Sequence, residues 1–508
     1  MIQEIAPRSR KCEGSLLKKP SADALPLPQY RPDAMKAEEF IFHEEILDTI
    51  RYAQENKHNI PLIDSLLEKA RPRRTAQGVT CAGLSHREAS VLLACDLPDK
   101  VVAMYKLAAE IKEAFYGNRI VMFAPLYLSN YCVNGCVYCP YHHGNHTIAR
   151  KKLTQEEIAA EVTALQDMGH KRLAIEAGED PVNSPMEYIL DSIRTIYGVK
   201  HQNGAIRRVN VNIAATTVEN YRKLAEAGIG TYILFQETYH RESYEQLHPT
   251  GPKHNYAYHT EAMDRAMAGG IDDVGLGVLF GLEGYAYEFA GLLMHAQHLE
   301  LVHGVGPHTI SVPRIKPADG VDPDQFDNGL SDELFLKIIA LVRIAVPYTG
   351  IIISTRESQE VRGKALHLGV SQISGASRTS VGGYTEEQRP HDSEQFEVSD
   401  QRTLDQVVRW LMELGHIPSF CTACYREGRT GDRFMQLCKS GQILNCCHPN
   451  ALFTLTEFLQ DYASEATRQL GRRMVDEELE RIPNPKARER AKAHVADIRS
   501  SNHRDFRF

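Results

Sequence analysis

The chain has 508 residues, of which 43% are hydrophobic and 24% are charged, and its formal net charge is −8. This composition is typical of a globular protein with ample chain for a core. No apolar run approaches the ~20 residues that span a bilayer, no apolar N-terminal stretch indicates export, and no long basic run indicates a nucleic-acid partner. We therefore expect a cytoplasmic protein with no membrane and no nucleic acid among its partners.

The hydrophobic pattern predicts four parts in chain order. Residues 1–36 combine prolines with polar residues and predict a flexible N-terminal arm. Over 37–118, apolar residues recur at three- and four-residue intervals, which predicts an N-terminal helical region. Short apolar runs then alternate with amphipathic helices over 119–390, and the strand pattern ends near Phe396. Residues 391–508 are predicted to form a helical C-terminal domain.

Eight runs in the third part have the composition of strands: IVMFAPLYL, RLAIEAG, RVNVNIAA, TYILFQET, DVGLGVLFG, HTISVPR, GIIISTRE and QISGAS. Alternation of strand and helix across short joints predicts an α/β fold with a parallel sheet. Eight such units fit a closed (β/α)8 barrel of the TIM type. An open doubly wound sheet is the alternative, although no GxGxxG fingerprint follows the first run.

Eight of the eleven cysteines fall into two groups that are far apart in the chain. Without an export signal, grouped cysteines favour metal binding or catalysis over disulfides. The first group is Cys132, Cys136 and Cys139, and the second is Cys421, Cys424, Cys438, Cys446 and Cys447. The sequence therefore predicts two metal sites.

The first group has the spacing Cys-x3-Cys-x2-Cys and follows the first predicted strand directly. In barrels, active sites are built at this carboxyl end of the strands. Three thiolates at this spacing can hold an iron–sulfur cubane and leave one iron open to a small molecule. A zinc site closed by His142, His143 or His146 is the alternative.

With Tyr138 before the third cysteine, the first group resembles the Cys-x3-Cys-x-aromatic-Cys signature of the radical S-adenosylmethionine (SAM) superfamily. The resemblance implies a 4Fe–4S cluster that binds SAM and cleaves it reductively to methionine and a 5′-deoxyadenosyl radical. The segment AIEAGED after the second strand is similar to the family's Gly-Gly-Glu contact with the SAM amine. It implies that Gly178 and Glu179 bind the cofactor, although Ala177 replaces the first glycine of the family.

The second group contains the spacing Cys421-x2-Cys424-x22-Cys447. Two thiolates on one turn and a third far along the chain are compatible with an iron–sulfur cluster. They are equally compatible with zinc, for which Cys446 or His448 would supply the fourth ligand.

About four fifths of the chain resembles the tyrosine lyase maturases of FeFe-hydrogenase. These radical SAM enzymes are related to the 2-iminoacetate synthases of thiamine biosynthesis. The stretches that carry the resemblance are APLYLSNYCVNGCVYC, RRVNVNIAATTVENY, LFQETYH, IDDVGLGVLFGL, GVGPHTISVPR, VPYTGIIISTRE and CTACYREGRTGDRFM. The family implies that L-tyrosine is cleaved between Cα and Cβ to p-cresol and dehydroglycine. An external donor supplies the electron.

The same resemblance implies that dehydroglycine becomes CO and cyanide at an auxiliary 4Fe–4S cluster with an additional iron. This iron unit then passes to other hydrogenase maturation proteins. The implied cluster ligands are Cys421, Cys424 and Cys447, and His308, which opens the sixth strand, is the candidate ligand of the additional iron. Two other readings are a tyrosine lyase that stops at 2-iminoacetate and a non-catalytic metal scaffold.

Polar residues at carboxyl ends of the predicted strands are the remaining candidates. Arg356 and Arg314 are candidates for binding the carboxylates of tyrosine and SAM, because arginine binds a carboxylate through two hydrogen bonds. An ion pair between Arg356 and Glu357 is the alternative reading. Tyr239 is a further catalytic candidate, and the cofactor-binding candidates are Asn212, Gln236 and Glu237. The segment LHPTGPKHNY is a candidate loop over the SAM site.

Overall fold

The computed structural model of the protein describes residues 29–75, 78–326, 328–385, 393–439 and 443–508. Its N-terminal elements are α1 (Ala37–Phe40), α2 (His43–Asn56), α3 (Ile60–Lys69), β1 (Arg73–Thr75), β2 (Gly78–Thr80), α4 (His86–Ala94) and α5 (Pro98–Tyr116). Ser85 and Glu88 form a capping box at the start of α4, and α5 ends where Gly117 takes a φ of +62°. The antiparallel β1–β2 pair was not predicted, because its exposed three-residue strands show no apolar alternation.

The predicted N-terminal arm lies partly outside the described residues, which begin at Gln29. The part that is described packs against the barrel instead of standing free. Ala34 is buried, and the carbonyl oxygen of Pro32 accepts a 2.8 Å hydrogen bond from Nδ1 of His298. Residues 29–36 therefore make defined contacts, and the flexibility of the N-terminal arm stays a prediction.

The central part begins with a long strand and alternates strands with helices. Its elements are β3 (Arg119–Ser129), α6 (Gln155–Asp167), β4 (Arg172–Ala177), α7 (Met186–Gly198), β5 (Lys200–His201), β6 (Gly204–Ala205), β7 (Arg208–Asn212), α8 (Val218–Glu226), β8 (Tyr232–Ile233), α9 (Arg241–Leu247), α10 (Tyr256–Thr260), α11 (Ala262–Ala268), β9 (Val274–Gly277), α12 (Tyr285–His303), β10 (Thr309–Ser311), α13 (Asp332–Ala345), β11 (Gly350–Ile353), α14 (Gln359–Leu368) and β12 (Gln372–Ser374).

Eight of these strands close into one parallel barrel. In spatial order they are β3, β4, β7, β8, β9, β10, β11 and β12, and β12 pairs again with β3 through the register Gln372–Val121. Each of the eight strand-like runs in the sequence contains one of these strands, so the prediction of a closed (β/α)8 barrel is confirmed and the open sheet is excluded. Because all strands run the same way, their carboxyl ends and the loops that follow them meet at one mouth of the barrel.

Helices cover the outside of the barrel, and several of them are buried on more than one side. In α13, residues Phe335–Ala345 are all buried. Two charged side chains, Lys337 and Arg343, are buried in this helix because they donate hydrogen bonds to backbone carbonyl oxygens. Nζ of Lys337, for example, donates to the carbonyl of Leu93 at 2.8 Å. The N-terminal helices α4 and α5 pack on α12 and α13, so the N-terminal region forms a second layer over this side of the barrel.

The C-terminal elements are α15 (Leu404–Glu413), β13 (Ile417–Ser419), α16 (Ala423–Arg426), α17 (Gly431–Lys439), α18 (Ile443–Asp461), α19 (Glu465–Glu480) and α20 (Pro485–Ser500). Strand β13 pairs in parallel with the first residues of β3, from Ile417–Arg119 to Ser419–Val121. The prediction that strands end near Phe396 was wrong here. A three-residue strand containing Pro418 is too short to show alternation.

In the part of the chain that the structure describes, no helix is both long enough and apolar enough to cross a membrane.

Candidate active site and second cysteine site

The first cysteine group occupies the loop that follows β3, at the carboxyl mouth of the barrel. Backbone hydrogen bonds tie this loop to two neighbouring loops. Val133 N–H donates to the carbonyl of Glu179 at 2.8 Å, and Val137 N–H donates to the carbonyl of Leu247 at 3.0 Å. The segment 247–256, which sequence analysis proposed as a loop over the SAM site, thus contacts the cysteine loop directly.

Gly178 and Glu179 follow β4 and lie against the cysteine loop. A Cβ atom on Gly178 would stand 2.3 Å from the carbonyl oxygen of Tyr131 and 3.1 Å from Cβ of Cys132, so only glycine fits. The carboxylate of Glu179 accepts a 2.6 Å hydrogen bond from Nδ2 of Asn134. Two polar groups therefore stand beside the cysteines on a tightly packed backbone.

A cavity of about 160 Å³ opens beside the cysteine loop, and all three cysteines line it. Polar and charged side chains share the lining. They are Glu176, Glu179, Asn212, Glu237, Lys253, Lys316, Arg356 and Gln395. Burial raises the pKa of Cys136 to about 12 and also raises the pKa of Cys139. Both thiols therefore favour the protonated form at neutral pH, and metal binding has to expel their protons.

An ion pair between Lys253 and Glu237 closes one side of this cavity, with 2.7 Å between Lys253 Nζ and Glu237 Oε1. Burial lowers the pKa of Lys253, but Glu237 and Cys136 outweigh that effect and raise it above the usual lysine value. Glu237 takes a φ of +68°, a strained conformation for a residue with a side chain. A permanent positive charge thus stands close to Cys136, where it favours the thiolate.

A second cavity of about 90 Å³ continues into the barrel and shares Tyr127, Glu176, Asn212, Phe235 and Arg356 with the first. Apolar rings and small polar groups make up the rest of its lining. The two cavities form one space that runs from the three cysteines into the barrel interior.

Arg356 stands where the two cavities meet. Its guanidinium lies over the ring of Phe396, 3.6 Å from the centroid. Among the described residues, nothing accepts a hydrogen bond from this guanidinium. Burial lowers the pKa of Arg356 and raises the pKa of the neighbouring Glu176 well above its usual value. The site therefore holds a half-buried cation, with no hydrogen-bond acceptor for its guanidinium among the described residues, close to a carboxyl group whose pKa burial raises.

Three residues predicted for this site do not line either cavity. The guanidinium of Arg314 instead pairs with Glu357 and with Asp332, the latter at 2.7 Å, and it donates to the carbonyl of Leu330. The alternative prediction was an ion pair between the neighbours Arg356 and Glu357. In the structure, Glu357 pairs with Arg314 instead. Because its donors are engaged by acidic and carbonyl oxygens, Arg314 is corrected from a carboxylate-binding to a structural position.

Gln236 and Tyr239 are the other two corrections. Gln236 donates from Nε2 to Oγ1 of Thr260 at 2.8 Å, outside the barrel, because consecutive residues of an extended chain point to opposite sides and Glu237 takes the inward position. The hydroxyl of Tyr239 lies 3.0 Å from Nδ1 of His295, and its backbone N–H donates to Glu288. Both side chains belong to the packing between the barrel and its outer helices.

Sequence reasoning missed Glu176, Lys253 and Gln395. Glu176 was detectable, because it is a charged residue near the carboxyl end of β4, as Asn212 is in β7. Gln395 comes from a connecting segment without periodicity. Lys253 lies in the segment 247–256, which was predicted to cover the SAM site, but no role was predicted for this lysine.

The second cysteine group lies at the opposite end of the barrel. Cys421 follows β13, Cys424 is in α16 and Cys447 is in α18, and these three line a cavity of about 80 Å³ together with His308 and Tyr425. Sγ of Cys424 is 3.9 Å from Sγ of Cys447. The extra cysteine, Cys446, has its Sγ 4.0 Å from that of Cys447 but does not line the cavity. Cys438 has no described side chain.

His308 directly precedes β10, at the amino end of the strands, as predicted. Its Nε2 lies 2.6 Å from the hydroxyl of Tyr425, and its Nδ1 lies 3.3 Å from Asp273 Oδ1. Burial lowers the pKa of His308 to about 4, so its imidazole is neutral at physiological pH and carries a lone pair. Burial also raises the pKa of Cys421 to about 11. Three sulfur donors and one imidazole therefore face a single cavity.

Comparison with known proteins identifies the class. Residues 126–293 match the Radical SAM superfamily, and residues 311–417 match the Biotin and Thiamin Synthesis associated domain. The chain is 30% identical to 2-iminoacetate synthase of Escherichia coli (strain K12) over 305 residues, which are 60% of this chain and 78% of that one. Together with the barrel and its three-cysteine loop, these matches define a radical SAM enzyme, with the 4Fe–4S cluster and SAM that this class implies.

Two solved structures narrow the assignment. A crystal structure of HydG, a maturase of the [FeFe]-hydrogenase, is 53% identical with a TM-score of 0.86, and the match covers 92% of this chain and all of that one. HydG from Carboxydothermus hydrogenoformans is 36% identical with a TM-score of 0.76, covering 90% of this chain and 99% of that one. The chain belongs to the HydG family of radical SAM enzymes.

Proposed function

We propose that the protein cleaves the Cα–Cβ bond of L-tyrosine to p-cresol and dehydroglycine, and that dehydroglycine becomes CO and cyanide for assembly of the [FeFe]-hydrogenase metal centre. The observation that carries this proposal is the continuous space between the three-cysteine loop and the unpaired guanidinium of Arg356. Membership of the HydG family supports the maturation role, because a solved relative is a maturase of that hydrogenase.

Arg356 binds the tyrosine carboxylate in this proposal. A guanidinium matches a carboxylate through two parallel hydrogen bonds, and this one has no competing partner among the described residues. Glu176 and Asn212 line the same space and suit the substrate amino group, because burial raises the pKa of Glu176 and a nearby ammonium would stabilise its ionised form.

The aromatic ring of the substrate is held by apolar side chains. Phe123, Ile233, Phe235 and Ile352 line the inner cavity, and they exclude water from a reaction that a radical would otherwise divert. The small polar side chains Ser311 and Thr355 in the same lining can hydrogen-bond the phenolic hydroxyl. The inner cavity therefore has a charged entrance and an apolar interior, as an aromatic amino acid requires.

Cys132, Cys136 and Cys139 would hold the 4Fe–4S cluster, and Gly178 and Glu179 would contact the amino group of SAM. When bound, the cluster and SAM supply a 5′-deoxyadenosyl radical. The protein's own contribution is to hold the charges in place: Lys253 stands beside Cys136, and Asn134 holds the Glu179 carboxylate in position. An external electron donor is the partner that this mouth of the barrel requires.

The cavity at the second cysteine group would hold the auxiliary cluster on Cys421, Cys424 and Cys447, with His308 as the ligand of an additional iron. The donor chemistry fits, because three sulfurs and a neutral imidazole line one buried space. Soft ligands of this kind suit an iron that captures CO and cyanide. We propose other hydrogenase maturation proteins as the recipients of this iron unit.

The proposal is tested by anaerobic incubation of the iron-loaded protein with dithionite, SAM and L-tyrosine. We expect 5′-deoxyadenosine, p-cresol and CO, and we expect none of them from Cys136→Ser. Formation of p-cresol without CO would indicate a lyase that stops at 2-iminoacetate. Bound zinc without 5′-deoxyadenosine would indicate a metal scaffold and would contradict the proposal.

A further inference from the structure

The segment 501–508 lies across the elements that carry the second cysteine site. It follows α20 and folds back onto α16 and α18, the two helices that hold Cys424 and Cys447. Nothing in the proposed chemistry uses this segment. Its contacts are nevertheless among the most specific in the C-terminal region.

An ion pair joins the segment to α16. Asp505 Oδ1 accepts from Arg426 Nη1 at 2.6 Å and Oδ2 accepts from Nη2 at 2.5 Å, which is the paired geometry of a guanidinium and a carboxylate. Arg426 is two residues after Cys424. A second ion pair joins Arg507 of the segment to Glu427, the residue that follows Arg426, with 3.1 Å between Nε and Oε1.

Hydrogen bonds and a ring stack join the segment to α18. The backbone N–H of Phe508 donates to Oδ1 of Asn450 at 2.9 Å, three residues after Cys447. The ring of Phe508 stacks on Phe453 with 5.6 Å between centroids. The backbone N–H of Asp505 donates to Oε1 of Glu457 at 2.5 Å, and Glu457 lies one turn after Phe453 in α18.

The same contacts reach the barrel. Glu457 is fully buried and lies 3.2 Å from Lys171 Nζ and 3.0 Å from Arg207 Nη1, two residues at the amino ends of β4 and β7. Asp505 takes a φ of +70°, and an L residue keeps such a conformation only where its surroundings determine it. Asp505 thus connects the segment to α16, to α18 and, through Glu457, to the barrel.

We propose that the segment 501–508 is a clamp that holds Cys424 and Cys447 in register for the auxiliary metal group, with Asp505 as its positioning residue. The two thiols come from different helices, and each lies within three residues of a clamp contact. The clamp therefore fixes the separation of the two sulfurs, which is 3.9 Å in this structure. The inference rests on the proposed metal-binding role of this cavity.

The first test measures the metal-free protein, so it does not depend on activity. Alkylation of Cys424 and Cys447 by iodoacetamide, followed by mass spectrometry, should be about tenfold faster in Asp505→Asn than in the unaltered protein. The control is Asp476→Asn, which breaks an exposed ion pair with Arg499 outside the clamp. Equal alkylation rates in the two variants would overturn the proposal whatever the protein's function.

The second test measures iron release from the loaded protein to a chelator. Asp505→Asn and Arg426→Gln should each release the iron of the second site about tenfold faster, and their effects should be less than additive in the double variant. Both remove the Arg426–Asp505 pair, while Asp505→Asn also removes the longer contacts of Asp505 with Arg207 and Arg507. Asp505→Glu keeps the charge and should restore retention. Purely additive effects, or no rescue, would contradict a positioning role.

These outcomes also separate the clamp from the proposed function. Faster alkylation in Asp505→Asn together with zinc in the unaltered protein would preserve the clamp and reject the auxiliary iron–sulfur cluster. Unchanged alkylation together with normal CO production would reject the clamp and preserve the function. If Asp505→Asn does not fold, Arg426→Gln carries the same alkylation test, because Arg426 is partly exposed and its loss leaves no buried charge in α16.

Discussion

Arg314 and Arg356 show how far single residues can be interpreted from sequence. Both are arginines that follow barrel strands, and the sequence predicts that both bind carboxylates. The structure separates them by their partners, since Arg314 is held by Glu357 and Asp332 and Arg356 has no acceptor among the described residues. Asp332, which begins α13, and Phe396, which lies in a connecting segment, decide the difference, and no strand pattern predicts the position of either residue.

We predict that Arg356→Lys weakens tyrosine binding. Lysine keeps the charge but loses the paired hydrogen bonds, so the KM for tyrosine should rise at least about tenfold, the change that ~1.4 kcal/mol corresponds to. The measurement is the rate of p-cresol formation against tyrosine concentration. Arg378→Lys, at an exposed position, is the control. An unchanged KM would show that the carboxylate binds elsewhere.

At the scale of elements, all eight barrel strands could be predicted and three short features could not. The strands are recognisable because both of their faces are buried, which gives continuous apolar runs. Strand β13 and the pairs β1–β2 and β5–β6 have two or three residues each, too few for any period. Asn212 and Arg356 face inward and line the cavities, whereas Gln236 and Tyr239 lie where the chain turns outward; the roles assigned to these residues stay predictions.

The loop after β4 carries a prediction of its own. Gly178→Ala would drive a methyl group into the carbonyl of Tyr131, which costs about 1–3 kcal/mol and displaces the cysteine loop. We expect loss of the iron bound by the first cysteine group, about four per chain, together with loss of SAM cleavage. Iron analysis and 5′-deoxyadenosine formation measure both effects.

The matched control for this loop is Gly198→Ala at the end of α7, where a methyl group would meet nothing within 4 Å. It should keep its full iron content. Full iron content in Gly178→Ala as well would show that this loop does not hold the cysteine loop in place.

On the scale of the whole molecule, the two cysteine sites stand at opposite mouths of one barrel. The first group follows the carboxyl end of β3, and the second lies beside His308 and Arg172, at the amino ends of β10 and β4. The sequence predicted this arrangement, because His308 precedes a strand and Cys132 follows one. The division of the chain at residues 36, 118 and 390 stays a prediction, and β13 shows that the C-terminal part adds its strand to the barrel sheet.

We predict that the two chemical steps can be separated by mutation. In Cys447→Ser, p-cresol formation should remain within about twofold of the unaltered rate, because the first site is intact, while CO and cyanide fall at least about tenfold. Quantifying all three products in one reaction measures the ratio. A parallel loss of all three would mean that the two mouths of the barrel depend on each other.

The length of β3 has a consequence for both ends of the molecule. Ser419, two residues before Cys421, pairs with Val121, whereas Cys132 comes three residues after Ser129. The eight residue-to-residue steps from Val121 to Ser129 rise on the order of 26 Å at ~3.3 Å per step. A single covalent strand therefore sets the spacing between the two cysteine groups. Insertions in the surface loops at either mouth would leave that interval unchanged, so the length of the path between the two groups depends on the barrel and not on its loops.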